Sequence, residues 1–512
     1  MIVATGQAIE RDEVVSALDL ALRAAEVAFE HAPALRARID TVSVVNILSR
    51  SGPEAARQMA GRLGLSRART QYTTIGGNSP QWLVNRAASA ISKGEMDATL
   101  IVGAEAQRSS RIRRKLAQAE QTPQAVSAPA ATGSVATSPS APCCETMPPF
   151  TTIGDPRAGA GQAELAAGLV APVHIYPLFE SAIAHRLGHS FAEQRRILGE
   201  LMSGFTNVAA KHPFAWFPEA VQPSDLSGVT PSNRLIAEPY PKRMCAFLNV
   251  DQGAALVLTS LGVARASGLA DEAVFCWSGA DATDVWYPSE RPDPGRSPGI
   301  AAAASAALDA SRTGVDDLSA FDLYSCFPCA VEMAAEAIGL SLDDHRGLTV
   351  TGGLPYFGGP GNNYTTHAIA TMVDRLRDQG GSGLVTGLGW YATKHSVGIY
   401  GATPPEAGWH YGDTARDQAA IDASAVECLT ELDAATTASA STARIQATAI
   451  ASTVMYGPEG HVTGAPIIAR LDDGRHVAAA ADPDELAHLA GYSLVGESVD
   501  LEGNPLRYRP TG

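Results

Sequence analysis

Two stretches of this 512-residue chain share one pattern, and together they decide its fold. Residues 73–77 read TTIGG and are followed by a helical pattern and then by the apolar run TLIVG at 99–103. Residues 349–353 read TVTGG and are followed by a helical pattern and then by LVTG at 384–387. Because strand, glycine turn, helix and strand recur in the same order, the pattern predicts two related domains rather than a solenoid.

Strands and helices alternate around both stretches. In the first hundred residues, strand-like runs at 39–48 and 67–75 alternate with amphipathic helical patterns such as 13–29. The alternation returns after residue 273 and includes a predicted strand at 349–351. Such alternation predicts an α/β fold with a mostly parallel sheet and helices on both faces.

Two changes in composition mark further segments. Residues 119–168 are rich in Ala, Thr, Ser, Pro and Gly, which predicts a long loop or an insertion, and one helical pattern follows at 176–210. After residue 405, short alternating segments separated by turns predict a small antiparallel β-barrel. The predicted domains are an N-terminal half (1–118), a loop and insertion region (119–242), the completion of the N-terminal half (243–270), a C-terminal half (271–404) and a barrel domain (405–512).

Composition and charge disfavour several classes of protein. The chain has 38 Lys and Arg against 54 Asp and Glu, a net charge of −16, which disfavours nucleic-acid binding because phosphate contacts need clustered cations. No apolar run approaches the ~18 residues of a membrane span, and no signal peptide is evident. Seven cysteines are an odd and sparse set, so we expect reduced thiols and a cytoplasmic protein. Cys143 with Cys144 and His185 with His189 lack zinc-site patterns, so no metal is expected.

Four motifs carry a resemblance to a known family. They are GGNS at 76–79, NVDQGAA at 249–255, YSCF at 324–327 and GGLPYFGGPG at 352–361. Over residues 1–405 the chain resembles the thiolase superfamily, most closely the sterol-carrier-protein-type thiolases and the thiolase-like proteins of type 1. The resemblance implies a thiolase fold, with two duplicated βαβαβ-type halves layered α/β/α, an insertion, and an additional C-terminal barrel.

The chain departs from this family at its reactive groups. A thiolase needs a nucleophilic Cys at the first turn, a His in a Gly-His-Pro motif and a second Cys near the end of the second half. Here the first turn at 76–79 has no Cys, Gly359 stands at the His position, and the loop 386–390 has no Cys. Because glycine can neither attack a carbonyl nor accept a proton, we expect no ordinary thiolase reaction.

A polar set remains at the expected thioester site. We expect Tyr324 to donate a hydrogen bond to a carbonyl oxygen and Cys326 to form a thiolate at a helix N-terminus. We expect His395 to act as a replacement base, with His367 as a second candidate for that role. The alternative for each is a structural role, and a redox role for Cys326 and Cys329 would need a thioredoxin-like fold that the chain does not offer. The resemblance places ligand-binding positions at Gly76, Gly77, Asn78, Ser79, Gly358, Gly359 and His367, with the turn around Gly358 as part of an oxyanion hole.

These features indicate a protein that handles an acyl-CoA or similar thioester, in lipid or sterol-type metabolism. Two alternatives stay open: a thiolase-fold carbon–carbon lyase, and a non-catalytic acyl-CoA-binding protein. No tightly bound cofactor is expected, and coenzyme A thioester is the expected small-molecule ligand. Because the strand at 67–75 alternates Arg67, Arg69, Gln71 and Thr73 on one face, a monomer is favoured over a homodimer.

Overall fold

The computed structural model describes residues 1–49, 52–120, 150–432 and 445–511. Part of the predicted insertion, including Cys143 and Cys144, therefore lies outside the described residues. The strands are β1 (Ile2–Ile9), β2 (Thr41–Val44), β3 (Arg69–Thr73), β4 (Ala98–Ala106), β5 (Thr151–Ile153), β6 (Leu235–Ala237), β7 (Tyr240–Pro241), β8 (Asp251–Thr259), β9 (Phe275–Thr283), β10 (Ala320–Asp322), β11 (Ser382–Gly389), β12 (Lys394–Gly401), β13 (His410–Tyr411), β14 (Cys428–Leu429), β15 (Ile445–Ser452), β16 (Met455–Tyr456), β17 (Val462–Gly464), β18 (Pro466–Leu471), β19 (His476–Ala481), β20 (Ser498–Glu502) and β21 (Arg507–Pro510).

The helices complete the described secondary structure, apart from short 3-10 turns. They are α1 (Ala17–His31), α2 (Ala55–Arg62), α3 (Ser79–Ser92), α4 (Gln107–Glu120), α5 (Gln162–Ala166), α6 (Pro172–Leu187), α7 (Phe191–Ala209), α8 (Pro223–Ser227), α9 (Leu261–Ala266), α10 (Pro298–Ser311), α11 (Pro328–Ile338), α12 (Tyr364–Gln379) and α13 (Ala415–Ala423). No helix in the described ranges is long and apolar enough to span a bilayer.

Two sheets of the same topology confirm the predicted duplication. The first sheet has the order β1-β8-β4-β2-β3-β5, and the second has the order β10-β11-β12-β9-β13. In the first sheet, β8 runs antiparallel to β1 and β4, while β2 runs parallel to β4. In the second, β12 runs antiparallel to β9 and β11, while β10 runs parallel to β11. The equivalent central strands are therefore β8 and β12.

The two sheets enclose a central layer formed by α3 and α12. Both helices pack against strands of both sheets, while α1 and α10 cover the outer faces. Gln81 and Asn85 of α3 are fully buried, and their amides are hydrogen-bonded to each other, to Tyr400 and to Asp281. Buried polar groups need such partners, so these contacts fix the position of α3 between the sheets.

The predicted strand at 349–351 is not formed. The carboxylate of Asp322, at the end of β10, accepts hydrogen bonds from the backbone amides of Val350 and Thr351 at 3.0 and 3.2 Å and from the Thr349 hydroxyl at 2.9 Å. Amides that bond to a side chain are not available for a strand ladder, so the segment turns around Asp322 instead of extending the second sheet.

The single helical pattern predicted at 176–210 is two helices, α6 and α7. Gly188 ends α6 in the left-handed conformation (φ 74°), and Ser190 begins α7 by accepting a hydrogen bond from the Glu193 amide. Glu193 returns a bond to the Ser190 amide, which completes a capping box. A glycine C-cap followed at once by a capping box separates two helices that share an apolar pattern.

A strand of the same chain covers the edge that was predicted to be polar. Strand β5 pairs in parallel with β3 through Gln71 with Thr151, Tyr72 with Thr152 and Thr73 with Ile153. The backbone groups of β3 that would otherwise face outward are thus used within the chain.

The C-terminal region forms a closed β-barrel, as predicted. Its strands follow the order β14-β19-β18-β15-β20-β21, and a pairing between β19 and β21 closes the five-stranded barrel. The closing pair is parallel, whereas the pairs β15 with β18 and β18 with β19 are antiparallel. Before the barrel begins, β13 and α13 pack against the second sheet, and Gln418 hydrogen-bonds to the backbone of Thr283.

Candidate functional site

Two cavities flank the loop that follows β3. The larger, here called the main cleft, has a volume of about 680 Å³, and the smaller, here called the side cleft, has a volume of about 460 Å³. They share Thr74 and Asp155 as a common wall. The chemically active groups in the wall of the main cleft are Asn78 and Ser79 at the start of α3, Asp281 of β9, Lys394 and His395 of β12, and Tyr411 of β13.

The glycines of the first turn leave no space for a side chain. A Cβ atom on Gly76 would lie 2.9 Å from the Lys394 Nζ and 2.6 Å from the Asn78 Oδ1. A Cβ atom on Gly77 would overlap the Tyr324 hydroxyl and lie 2.5 Å from the carbonyl oxygen of Leu388. Lys394, Asn78 and Tyr324 therefore fill the space in which a side chain at this turn would begin.

Lys394 is a buried cation beside this turn. Its side chain is 8% exposed, and its Nζ donates a hydrogen bond to the carbonyl oxygen of Ile75. Within the described ranges, no carboxylate lies within ion-pair distance of this amine. Burial lowers the pKa of Lys394 to about 8, an effect that Asp155 opposes and Arg157 reinforces. An amine with this pKa is partly uncharged at neutral to mildly alkaline pH.

His395 is held by a buried carboxylate. Its Nε2 lies 2.9 Å from Asp284 Oδ2 and 3.3 Å from the Ser297 hydroxyl, and its side chain is almost fully buried. Burial alone would raise the pKa of Asp284, but the hydrogen bond and charge of His395, with Arg291 and Ser297, lower it overall. The ionised Asp284 therefore orients the imidazole, as the carboxylate does in an acid–base dyad.

Asp281 adds a second proton-transfer group to the main cleft. It is half-buried, and it accepts hydrogen bonds from the Tyr411 hydroxyl at 2.8 Å and from the Asn85 amide at 3.2 Å. Burial raises its pKa to about 6, even though the hydrogen bonds from Ser396, Tyr411 and Asn85 oppose the shift. A carboxylate with a pKa close to the operating pH suits general acid–base catalysis.

Tyr324 and Cys326 lie behind this cleft and not in it. Tyr324 is 6% exposed, its ring packs edge-on against Tyr364, and it borders a closed void that has no room for a water molecule. Burial raises the pKa of Cys326 to about 12, and the hydrogen bond from Tyr176 offsets only part of this shift. The prediction of a thiolate at Cys326 is therefore wrong, because the cost of burying a charged sulfur outweighs its stabilisation by the dipole of α11.

The glycine-rich turn does not offer two free amides. The Gly359 amide donates to the carbonyl oxygen of Phe247 at 2.9 Å, and the Gly361 amide donates to the carbonyl oxygen of Gly359 at 2.7 Å. Gly358 has a φ of 114°, and a Cβ atom there would overlap the side-chain oxygen of Gln252. The turn is packed against its neighbours, so the backbone oxyanion hole expected here has lost these donors.

His367 lies in the core, away from both clefts. Its Nδ1 is 2.8 Å from Gln7 Oε1, its ring packs against Phe357, and it is fully buried. Burial lowers its pKa to about 3, with a smaller contribution from His212, so the ring is neutral. The expected ligand-binding set is thus divided, because Asn78 and Ser79 line the main cleft and His367 does not. His395, the expected replacement base, also lines the main cleft.

The sequence-based site omits Lys394 and Asp281, which line the main cleft, and Asp284, which hydrogen-bonds to His395. Lys394 precedes His395 directly, and the two aspartates stand three positions apart at and just beyond the end of β9. Polar residues at the end of a buried strand are a signal that the sequence offers. What it does not offer is their convergence, which depends on the pairing of β9 with β12.

Comparison with protein-family models gives no match, and neither does comparison with curated protein sequences. Among solved structures, a monomeric SCP2-thiolase like protein type 1 from Mycobacterium smegmatis is similar over 100% of this chain and 98% of its own, with a TM-score of 0.80 and 32% identity. The Ltp2-ChsH2(DUF35) aldolase is similar over 78% of this chain and 97% of its own, with a TM-score of 0.59 and 18% identity.

The dimeric peroxisomal thiolase of Saccharomyces cerevisiae is similar over 78% of this chain and 96% of its own, with a TM-score of 0.56 and 15% identity. At this identity, the aldolase and the peroxisomal thiolase share the fold with this chain and nothing more. The Mycobacterium smegmatis protein is similar over the full length, including the barrel. The chain therefore belongs to the thiolase superfamily, as a member of its SCP2-thiolase-like type 1 proteins.

Proposed function

We propose that this protein binds an acyl-CoA, of lipid or sterol type, in the main cleft and acts on it by acid–base chemistry, without an acyl-enzyme intermediate. The observation that carries the proposal is the cleft itself. It places Asp281 and His395 in the wall of one open cavity beside a first turn that has no cysteine and no space for a side chain at Gly76 or Gly77.

Two arginine–tryptophan pairs beside the main cleft suit a ligand with phosphates and an aromatic base. The Arg157 guanidinium lies 3.6 Å from the ring centre of Trp286, and the Arg86 guanidinium lies 4.9 Å from that of Trp82. Both tryptophans line the main cleft, and both arginines are exposed. Arginine binds phosphate through paired N–H groups, and indole rings stack with bases, so coenzyme A fits this composition.

Two groups are available for proton transfer at the carbon next to a thioester carbonyl. Asp281, whose pKa is raised to about 6, is largely ionised at pH 7 and can accept a proton. His395, oriented by Asp284, can return one. A base whose pKa lies near the operating pH contributes a factor of ~10²–10⁴ to rate, which is the effect we assign to this pair.

Binding is tested by calorimetric titration of the protein with CoA, acetyl-CoA and longer acyl-CoAs. Arg86→Gln should weaken binding about tenfold, because a charge-assisted hydrogen bond to phosphate contributes about 1.5–3 kcal/mol and part of it is replaced by water. Arg114→Gln, on the exposed face of α4 and away from both clefts, is the matched control and should leave binding unchanged. If no CoA derivative binds at millimolar concentration, the proposal is wrong.

A carbon–carbon lyase is the second candidate. The Tyr324 hydroxyl lies at the first turn, where a side chain on Gly77 would begin. One structure of the same fold is an aldolase whose name includes a second component, DUF35. Under this function, Tyr324→Phe should reduce bond cleavage and leave ligand affinity within a few-fold, because only transition-state stabilisation is lost. Under a purely binding function, neither Tyr324→Phe nor Asp281→Asn changes anything except affinity.

We also propose that the protein acts as a monomer in a reducing compartment. The monomeric state is supported by β5, which occupies the free edge of β3, and by the monomeric relative from Mycobacterium smegmatis. The compartment is supported by the cysteines in the described ranges, all of which are free thiols. Sedimentation velocity at micromolar concentration should give one species near the chain mass of 53.2 kDa.

A further inference from the structure

Lys394 is a buried amine whose surroundings do not explain it as a structural cation. Long cationic side chains are rarely buried without a carboxylate beside them. Its Nζ donates to one backbone carbonyl, that of Ile75, and no described carboxylate lies within 4.0 Å of it. It lines the main cleft, and its terminal atoms occupy the space beside Gly76.

We propose that Lys394 is a nucleophile that forms an imine with a ketone or aldehyde group of a ligand in the main cleft. The inference deepens the proposed function, because it uses the same cleft and names the class of carbonyl that the cleft takes. It concerns formation of an imine, which needs a primary amine that neither Asp281 nor His395 has.

The position of the amine favours this reaction. Burial shifts Lys394 toward the uncharged form, and only the uncharged amine has the electron pair that attacks carbon. The charged and titratable groups around it are Asp155 and Arg157 on the segment after β5, Asp281 on β9, and His395 next to it on β12. Asp155 favours the ammonium form and Arg157 disfavours it, so burial remains the main influence.

The chemistry balances without an oxidant or reductant. The Nζ electron pair attacks the carbonyl carbon, the C=O π pair moves to oxygen, and a proton passes from nitrogen to oxygen. A second proton, taken up from solvent, allows that oxygen to leave as water and gives a protonated imine. In a β-hydroxy ketone, a base such as Asp281 then takes the hydroxyl proton, the carbon–carbon bond breaks, and its electron pair moves to the iminium as an enamine, so that the first carbonyl product is released. Asp281 returns its proton to the enamine carbon, and addition of water to the resulting iminium releases the second carbonyl product, free Lys394 and the proton taken from solvent.

The same chemistry excludes the thioester as the group that meets Lys394. An amine that attacks a thioester expels the thiol and forms an amide, and an amide is not released by water on a catalytic timescale. The carbonyl that Lys394 captures is therefore a ketone or aldehyde. On an acyl-CoA ligand, it would be a second carbonyl on the acyl chain.

The experiment uses pentane-2,4-dione, a small diketone that condenses with uncharged amines to a stable enaminone and needs no reductant. The full-length protein is incubated with the reagent between pH 6.5 and 9.5, and peptide mass mapping follows each lysine with time. With a pKa of about 8 against 10.5 for an ordinary lysine, the uncharged fraction of Lys394 at pH 8 is ~150 times larger. We expect Lys394 to be modified at least tenfold faster than the exposed Lys93, with a rate that levels off above pH 8.

Three variants make the result decisive. Lys394→Arg keeps the charge and should abolish the fast adduct, Lys394→Met should do the same, and Lys93→Arg should leave it unchanged. Equal rates for Lys394 and Lys93 in the wild-type protein would overturn the proposal without requiring any variant to fold. If Lys394 shows no selective reaction while acyl-CoA binding persists, this inference fails and the proposed function stands. If Lys394 reacts selectively and no acyl-CoA binds, the proposed function fails and this inference stands.

Discussion

Replacement of Gly77 by Ala tests whether the first turn has lost the space for a nucleophile. A methyl group at Gly77 would overlap the hydroxyl of Tyr324 and lie 2.5 Å from the carbonyl oxygen of Leu388. The second contact is with the backbone of β11, where Leu388 is paired with His395 of β12, so this carbonyl cannot move without disturbing the sheet. Gly77 does not have a positive φ, so any loss of stability reports the contact and not backbone strain.

The expected loss follows from these contacts. Overpacking of a core by one methyl group costs about 1–3 kcal/mol, and the rigid contact with Leu388 favours the upper end. For a folded body of some 400 residues, whose unfolding entropy is ~2.1 cal/mol/K per residue, 3 kcal/mol lowers Tm by about 3–4 °C. Gly76→Ala should cost less, about 1 kcal/mol, because its neighbours are the ends of the flexible side chains of Asn78 and Lys394.

Differential scanning calorimetry of the wild type, Gly77→Ala and Gly76→Ala measures the loss of stability that each substitution causes. Gly204→Ala is a matched control in the exposed middle of α7, where a methyl group meets nothing within 4 Å, and it should raise stability by about 0.5–1 kcal/mol. Tyr324→Phe in the Gly77→Ala background should recover part of the loss, because the overlapping hydroxyl is removed. A Gly77→Ala protein that melts with the wild type, or a Gly76→Ala protein that loses as much, would refute the reasoning.

Three further outcomes follow from the same structure. Purified protein should not cleave acetoacetyl-CoA with CoA above the uncatalysed rate, and turnover near an ordinary ~10 s⁻¹ would contradict this. Cys326 should resist iodoacetamide at pH 8 until the protein is unfolded, because a pKa of about 12 leaves almost no thiolate; rapid labelling of the native protein would contradict it. Burial and the nearby Glu180 raise the pKa of Glu332 above its usual value of 4.5. The folded protein therefore holds this proton more tightly than the unfolded chain, and the stability that this difference provides is complete below pH 4.5 and is lost as pH rises through the raised pKa. Glu332→Gln should therefore exceed the wild type in stability by about 1 kcal/mol or more at pH 8, and an equal loss of stability with pH in both proteins would count against it.

The fold could be predicted because its signals are local. The glycine turns at 76–77 and 352–353, the buried runs that became β4 and β11, and the alternation between them are all written in short segments. The predicted strand at 349–351 failed because a contact with a residue distant in the sequence determines the local structure. Residues 349–351 have a β-branched pattern, but the carboxylate of Asp322 takes their amides, and nothing within those three residues shows that an aspartate 27 positions earlier will do so.

The chemistry of the site was harder to predict, because it depends on burial. His395 and Asn78 were predicted from the sequence because the resemblance marks their segments, and both line the main cleft. Lys394, the neighbour of His395 in the sequence, was not predicted as a site residue. A lysine in the unfolded chain has an ordinary pKa, and only burial in the folded protein lowers it. For Cys326, the sequence predicted a reactive group that the folded protein does not have. Its position before a helix predicts a thiolate, but burial in the core raises the pKa of the thiol.

One short segment, residues 151–157, both covers the edge of β3 and forms part of the two clefts. Residues 151–153 form β5, which pairs in parallel with the edge of β3. The chain then continues directly to Asp155, which forms part of the wall of both clefts, and to Arg157, which stacks on Trp286 beside the main cleft. These charged groups also influence the pKa of Lys394. The same seven residues therefore cover the edge of β3 and contribute to the walls of both clefts. A variant that releases β5 from β3 should therefore alter ligand binding and self-association at the same time.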